Sequence, residues 1–287
     1  MGKKIISGGE YPTPYRPITN LWEPVFPVMI KLPYPDSNPR ALIEKGTSFI
    51  STDKYLVTMD DKVGYYTASG DSIVYLDQLN PIKDLWLIGQ ASRMIGESVI
   101  PTMEGGNNFE IIKWVAKRAS DTTTVASYSS ANEIFLNTNR GTKGITANIY
   151  ELQSIFRHEL IHFIERDKYK SDKNPDGKEF VFKHHADVYF RQMQYEEFKY
   201  TSEDFQKDII VKYVNLLLNQ LAQIDQNSTD FKDGIDNFNK IIGKDINATL
   251  IISSKRDFYG IPEIILTLGK KKKIYTIVYK YQHDPHK

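Results

Sequence analysis

Apolar and polar positions alternate along the chain in a way that predicts strands at both ends and helices between them. Short runs rich in Val, Ile, Tyr and Thr, bounded by turn residues, are typical of strands. Such runs occupy 48–52, 54–59, 62–68, 72–76, 123–128, 133–138, 248–254, 263–269 and 273–281. Helical spacing of apolar residues predicts helices over 84–98, 107–119, 146–168, 180–199, 202–224 and 229–242. The order β-rich, helical and then β predicts an α+β fold.

The longest predicted helix, over 146–168, carries one apolar stripe. The stripe consists of Leu152, Phe156, Leu160 and Phe163, at spacings of four, four and three residues. A helix buries such a stripe against a core, and its other faces are expected to be polar. The loop “SDKNPDGKE” ends this helix before the next one begins. The middle of the chain is therefore predicted to contain two consecutive helices.

The first 47 residues differ from the rest because they are dense in proline. Eight of the 13 prolines fall between Pro12 and Pro39, and proline fixes φ and removes a backbone donor. The segment also carries apolar residues such as Trp22 and Phe26, which a solvated linker does not need. We therefore predict an irregular arm over 1–47, and a single catalytic domain over 48–287 whose end, about 245–282, is a β extension.

Charge and composition narrow the range of functions. The net charge is +1, so no global attraction to nucleic acid or to a membrane surface is expected. The chain has no cysteine, which excludes disulfides, iron–sulfur clusters and thiolate zinc sites. A metal site must therefore use His, Asp or Glu. The N-terminus lacks the apolar core of a Sec signal peptide, and no run of about 18 apolar residues predicts a membrane span.

The stretch “SIFRHELIHFIERDKYK”, residues 154–170, contains the pattern H-E-x-x-H. On a helix, His158 and His162 are four residues apart and are neighbours, so two imidazoles can reach one ion. Zinc binds imidazole nitrogens at about 2.0–2.1 Å. Glu159 lies beside the open coordination position, where it can take a proton from a zinc-bound water. The pattern predicts a catalytic zinc site with Glu159 as the general base.

A catalytic zinc site normally has three protein ligands and a water. The pattern H-E-x-x-H-x-x-G-x-x-H is absent, because His162 is followed by “FIERDKYK”. The third ligand should therefore come from the following helix, where the choices are His184, His185 and Asp187. His184 and Asp187 are three residues apart and share a face, so Asp187 could orient a bound His184. Local geometry alone slightly favours His184.

The following helix also carries a resemblance to a known family. The stretch “HADVYFRQMQYEEFKYTSEDFQKDIIVKYVNLL” resembles the second half of metallopeptidase toxin domains. These domains occur at the C-termini of bacterial polymorphic toxins, including Rhs-type and type VI secretion effectors. In them H-E-x-x-H is followed by E-x-D-A-Y-x-x-Q and then by F…S…F. The matching residues here are Asp187, Tyr189, Gln192, Phe198, Ser202 and Phe205.

The resemblance covers about 150–220, under a third of the chain, and implies a zincin-like fold. It places His185 where the family has a ligand glutamate, and so implies that His185 joins His158 and His162 as a zinc ligand. Three imidazoles give the site one negative charge less, which makes the zinc more electrophilic. Glu165 and Arg157 flank the motif and are interpreted as a solvated charged face, with support of the metal ligands as the alternative role. Tyr189 is interpreted as a packed tyrosine, with oxyanion stabilisation as the alternative role.

The predicted function is a zinc metallopeptidase that hydrolyses peptide bonds by Glu159-assisted attack of a zinc-bound water. The strand Glu133–Asn137 is expected to line the cleft and bind substrate by β-addition. A hydrolase of peptidoglycan or of another amide, and a non-catalytic zinc-binding module, are the alternatives.

The resemblance implies that the protein is an antibacterial toxin. It would be cytoplasmic in its producer, exported without a Sec signal peptide and delivered into target cells. A cognate immunity protein would keep the toxin inactive in the cell that produces it. The other expected partners are a protein or peptide substrate and a larger delivery protein, with no nucleic acid and no membrane.

Overall fold

The computed structural model describes residues 30–31, 54–67, 72–100, 103, 112–120, 124–129, 132–139, 145–171, 178–224 and 229–281. The predicted strand over 48–52 lies outside these residues, as does the predicted arm over 1–47 apart from Ile30–Lys31. The chain divides into two compact units, Met1–Ile164 and Glu165–Lys287.

The first unit contains a four-stranded sheet in the order β1-β2-β3-β4. Its strands are β1 (Ile30–Lys31), β2 (Lys54–Met59), β3 (Lys62–Thr67) and β4 (Ser72–Tyr75). β1 runs parallel to β2, and the other two pairs are antiparallel. Asp60 and Asp61 form the β2–β3 turn with φ of 49° and 61°. Two consecutive positive φ angles give a two-residue turn whose twist matches that of the strands.

Helix α1 (Leu85–Val99) is followed by a second sheet, in the order β5-β7-β6. Its strands are β5 (Lys113–Lys117), β6 (Ala126–Ser129) and β7 (Glu133–Asn137). β5 runs parallel to β7, and β6 is antiparallel to it.

The prediction of a helix over 107–119 is wrong for residues 113–117, which form β5. Each of these residues is in register with a residue of β7, and Trp114 is buried. Aromatic and β-branched side chains such as Trp114 and Val115 fit a pleated surface well, and pairing with a distant strand outweighs the local helical spacing.

Helix α2 (Ile149–Ser171) begins at a fixed point of the first unit. The Asn148 Oδ1 accepts hydrogen bonds from the N–H groups two and three residues further on, at 2.9 and 3.0 Å. These bonds satisfy two of the donors that the first turn of a helix leaves unpaired. The Ile149 N–H also donates to the Asp61 carbonyl at 2.8 Å. The start of α2 is therefore tied to the β2–β3 turn.

The second unit continues with three further α-helices, α3 (Lys178–Gln194), α4 (Glu203–Gln223) and α5 (Asp230–Asn237). The helix predicted over 180–199 is divided, because α3 ends at Gln194 and a short 3-10 helix follows over Glu196–Tyr200. Ser202 is the N-cap of α4: its Oγ accepts a hydrogen bond from the Phe205 N–H at 3.2 Å. α5 continues into a π-helical turn over Phe238–Ile242.

An antiparallel sheet completes the second unit, in the order β10-β9-β8. Its strands are β8 (Thr249–Arg256), β9 (Pro262–Leu268) and β10 (Lys273–Ile277). Leu250, Ile264 and Leu266 belong to the same buried core as residues of α3, α4 and α5. Residues 269–272 form the β9–β10 turn, with φ of +76° at Gly269 and +49° at Lys272.

The described residues thus contain five α-helices and three small sheets, which confirms the α+β prediction. None of the helices in these residues combines the length and the hydropathy that crossing a membrane requires.

Candidate metal centre

The H-E-x-x-H motif lies in the middle of α2, in a stretch that is buried on nearly every face. The predicted stripe is at most 4% exposed at Leu152, Phe156, Leu160 and Phe163. His158 is also only 9% exposed and Glu159 only 7%. The helix face that the sequence indicates as polar is therefore enclosed as well. Burial of a polar or charged group costs free energy unless the group is hydrogen-bonded, paired with an opposite charge or bound to a metal.

The two motif histidines point the same ring atom at each other. The Nε2 atoms of His158 and His162 are 3.2 Å apart, and the rings meet edge to face. Two nitrogens bound to one tetrahedral zinc at about 2.05 Å would be roughly 3.3 Å apart. The spacing of the two Nε2 atoms therefore fits a shared zinc ion without a change in either side chain.

His185 is the third histidine of a group that could hold a metal ion. His158, His162 and His185 each offer one ligand atom, and these atoms all lie within 4.8 Å of one another. Three imidazoles with no thiolate and no carboxylate form a donor set that suits zinc and other late transition metals. The predicted ligand residues are thus brought together, and their binding of zinc stays a prediction.

The two competing third-ligand candidates are placed differently. The Nδ1 of His184 lies 3.4 Å from the Glu165 Oε2, so this ring faces a carboxylate. Asp187 is exposed, and its charge adds to the effect of burial in raising the pKa of Tyr213. Within the described residues, the group that could hold a metal contains neither of them. The local spacing that favoured His184 in the sequence does not decide the arrangement.

Tyr189 stands one helical turn after His185 on α3. It is half-buried, and its ring stacks on the imidazole of His185 with centroids 6.3 Å apart. Tyr189 is therefore packed, as the sequence suggests, and it also lies next to the predicted ligand His185. This stacking limits the rotation of the His185 ring.

Arg157 is a structural residue of the first unit, so the prediction that it lies on a solvated face is wrong. It is 4% exposed, and its Nη1 donates a hydrogen bond to the Val99 carbonyl at 2.7 Å. Val99 is the last residue of α1, where helix carbonyls lack partners within the helix. Arg157 therefore joins α2 to the end of α1 one residue before the motif begins.

Two aromatic contacts hold the motif from either side. The rings of Trp114 and Phe156 meet edge to face at 5.3 Å, and those of Tyr128 and Phe163 do so at 5.6 Å. Gly96 makes room for the first contact, because a Cβ there would lie 2.2 Å from the Trp114 ring. The sheet of β5, β6 and β7 thus packs through its aromatic residues against the motif helix.

The expected substrate strand requires a correction. β7 (Glu133–Asn137) is the central strand of its sheet, paired with β5 on one side and β6 on the other. Its backbone hydrogen-bonding groups are used on both sides, so β7 does not offer a free edge for β-addition. In the described part of this sheet the outer strands are β5 and β6.

Sequence reasoning assigned Arg157 and Glu165 to a solvated face, but the structure gives both definite contacts. Glu165 lies three residues after His162, and its carboxylate contacts His184 and Arg191 of α3. The available signal was spacing, because His162 and Glu165 share a helix face. Arg157 carried no such signal, because its partner is a backbone carbonyl 58 residues earlier in the chain.

Comparison with known families gives one match. Residues 112–252 match the family model of metallopeptidase toxin 2, a stretch of just under half of the chain. This stretch contains β5 to β7, the motif helix and α3 to α5. The match confirms the resemblance to metallopeptidase toxin domains. No curated protein and no solved structure matches the chain.

Proposed function

We propose that the chain is a zinc-dependent peptidase that acts as an antibacterial toxin, because residues 112–252 match the family model of metallopeptidase toxin 2. The family implies a metal-dependent peptidase and delivery to target cells. The observation that carries the choice of zinc is the His158–His162 pair, with Nε2 atoms 3.2 Å apart. A zincin-like arrangement, in which two successive helices supply the ligands, is part of the same proposal.

His158, His162 and His185 are the proposed ligands. A zinc ion bound by them would polarise the scissile carbonyl and lower the pKa of a coordinated water towards 7. Neutral imidazoles bind through a nitrogen that carries no proton. For His158 and His162 that nitrogen is the Nε2, and each Nδ1 then carries the proton.

Glu159 is the proposed general base. It follows His158 directly and is 7% exposed, so its carboxylate is held away from bulk water. It accepts a proton from the attacking water and returns it to the leaving amine. General acid–base catalysis of this kind contributes about 10²–10⁴-fold to rate.

A peptide substrate is proposed to bind in extended form, on an outer strand of the sheet beside α2. β6 is the better placed of the two, because its Tyr128 packs on Phe163, the residue after His162. An extended substrate that pairs with β6 gains backbone hydrogen bonds that do not depend on its side chains. Selectivity would then come from side-chain pockets along the strand.

The toxin hypothesis predicts a cognate immunity protein in the producing cell and a larger protein that delivers the domain. A protease active in its own cytoplasm would destroy its host, so an inhibitor must be present before export. The family supports a protein substrate and an inhibiting partner as classes. Their identities are questions for binding and genetic experiments.

The test is controlled expression of Glu159→Gln beside the parent chain in a susceptible bacterium. The substitution keeps the size of the side chain and removes the base. We expect the parent to stop growth and Glu159→Gln to lose the effect, with zinc content unchanged by elemental analysis. Equal killing by both chains would overturn the proposal. The chain is also expressed in the cytoplasm and, with an export signal, in the periplasm. Toxicity in the cytoplasm favours a protein substrate, and toxicity in the periplasm alone favours a cell-wall amide.

Glu197→Gln is the matched control. Glu197 is 8% exposed, which is close to the value for Glu159, but it lies in the 3-10 helix after α3. If loss of any buried carboxylate abolished toxicity, both variants would be inactive. The proposal predicts that Glu197→Gln retains toxicity whenever the protein is present at the parent level.

A further inference from the structure

A single carboxylate on α2 contacts two side chains of α3. Glu165 is 13% exposed at its side chain, and its Oε1 accepts a hydrogen bond from the Arg191 Nη1. Its Oε2 lies 3.4 Å from the His184 Nδ1. His184 and Arg191 are seven residues apart, which is about two turns or roughly 10 Å along a helix. Glu165 therefore contacts α3 at two levels.

His185 lies between these two contacts along α3. It follows His184 directly and precedes Arg191 by six residues. Sliding α3 by one residue would move each side chain by about 1.5 Å and turn it by about 100°. Neither contact of Glu165 would survive such a shift. The two contacts together restrain both the axial position and the rotation of α3 at the level of His185, in addition to the packing of its buried residues.

We propose that Glu165 is a positioning residue, which holds α3 in the register that presents His185 to the metal beside His158 and His162. This inference rests on the proposed function, because it assumes that the three histidines bind one ion. Metal ligands have to be held within about 0.5 Å of the productive geometry. A carboxylate three residues from His162, on the same helix as both motif histidines, provides that restraint directly.

The burial of the three side chains distinguishes this cluster from an ordinary surface pair. His184 is 11% and Arg191 28% exposed at the side chain, whereas the Lys183–Asp230 pair of the same unit is 52% and 41% exposed. Exposed pairs are screened by water and constrain little. Charge-assisted contacts in an enclosed place are stronger and more selective in geometry.

The experiment measures metal binding by Glu165→Ala and Glu165→Gln against the parent. Zinc affinity is measured by competition with a chelator, and the visible spectrum of the cobalt(II)-substituted protein reports the ligand geometry. We expect Glu165→Ala to bind zinc roughly 10-fold or more weakly, as for other residues that orient metal ligands, and to show an altered cobalt spectrum. Glu165→Gln keeps one acceptor oxygen and should fall between Glu165→Ala and the parent.

Glu203→Gln serves as the control variant. Glu203 forms an exposed ion pair with Lys273 at 2.7 Å in the same unit, with side chains 42% and 51% exposed. Its loss removes the same charge without touching α2 or α3. We expect its zinc affinity and cobalt spectrum to equal those of the parent.

Thermal unfolding of the metal-free proteins separates positioning from simple support of the fold. If Glu165 only stabilises the second unit, Glu165→Ala would unfold at a lower temperature but bind zinc as tightly as the parent below that temperature. Unchanged affinity together with an unchanged cobalt spectrum would overturn the positioning role. The proposed function fails separately, if the parent binds no zinc or if Glu159→Gln is as toxic as the parent; without zinc binding the positioning role fails with it.

Discussion

The two helices that carry the candidate site are held in opposite ways. The middle of α2 is surrounded by buried apolar and aromatic side chains, and even His158 and Glu159 are enclosed. α3 alternates between buried positions such as Phe182 and exposed ones such as Asp187. The first helix is fixed by packing, whereas the ligand-bearing face of the second is restrained by polar contacts. Packing does not depend on single charges, whereas charge-assisted contacts do.

This difference predicts that the two histidines of α2 form a preformed pair, and that the third ligand is the part of the site that substitution can most easily displace. Four substitutions test this difference, and the one with the greatest predicted loss is given first.

Phe156→Ala should cost the most. Phe156 is fully buried and packs on Trp114 at 5.3 Å. Truncation of such a side chain removes burial and leaves a cavity, at a cost of about 3–5 kcal/mol. Phe190→Ala on the half-buried side of α3 should cost clearly less. Urea unfolding measures both, and equal losses would contradict the view that the middle of α2 depends more on packing than this side of α3 does.

His185→Ala should weaken zinc binding by about 100-fold, equivalent to about 2.7 kcal/mol. His184→Ala is the matched variant next to it, and it loses the contact with Glu165 and the stacking of its ring on that of His185, with centroids 6.0 Å apart. We expect its zinc affinity to fall by roughly 10-fold, as for a residue that orients a ligand. Chelator competition measures both constants. A larger loss for His184→Ala would make His184 the third ligand.

Arg157→Met should cost about 2 kcal/mol of unfolding free energy, because a hydrogen bond from a charged donor to a buried carbonyl is lost. Methionine approximates the length of the side chain, and the change leaves the Val99 carbonyl without this donor. The zinc affinity of the folded variant should remain within a few-fold of the parent. If zinc binding fell as far as it does in His185→Ala, Arg157 would be part of the site and not only of its support.

Lys183→Ala should have the smallest effect, below about 1 kcal/mol, because its ion pair with Asp230 is exposed. Lys183 lies on α3 two residues before His185, and Asp230 is the first residue of α5, so the variant also tests whether an exposed charge close to His185 matters. Thermal unfolding at low and at high salt measures the contribution. A loss comparable to that of Phe156→Ala would show that the second unit depends on its surface charges.

Much of the fold was predictable because it is local. The turn at Asp60 and Asp61, the cap at Ser202 and the apolar stripe of α2 each depend on residues within a few positions of one another. The sequence predicts a helix where β5 lies, because β5 is stabilised by pairing with β7, which is 20 residues further along the chain. The same long-range pairing makes β7 a central strand, which the sequence of Glu133–Asn137 does not reveal.

The candidate site divides in the same way. His158, Glu159 and His162 follow from spacing on one helix, whereas the burial of His158 and Glu159 requires the fold. His184 and His185 are adjacent, so choosing between them depends on the rotation of α3. Contacts that bear on that rotation, such as those of Glu165 with His184 and Arg191, join residues about 20 or more positions apart and are not visible in the sequence.

The most direct test of the central claim is X-ray absorption at the zinc edge of the purified parent and of His185→Ala. The account predicts three imidazole nitrogens at about 2.0–2.1 Å and one further light ligand in the parent. It predicts one imidazole fewer in His185→Ala. A parent site with four protein ligands, or an imidazole count that His185→Ala leaves unchanged, would contradict it.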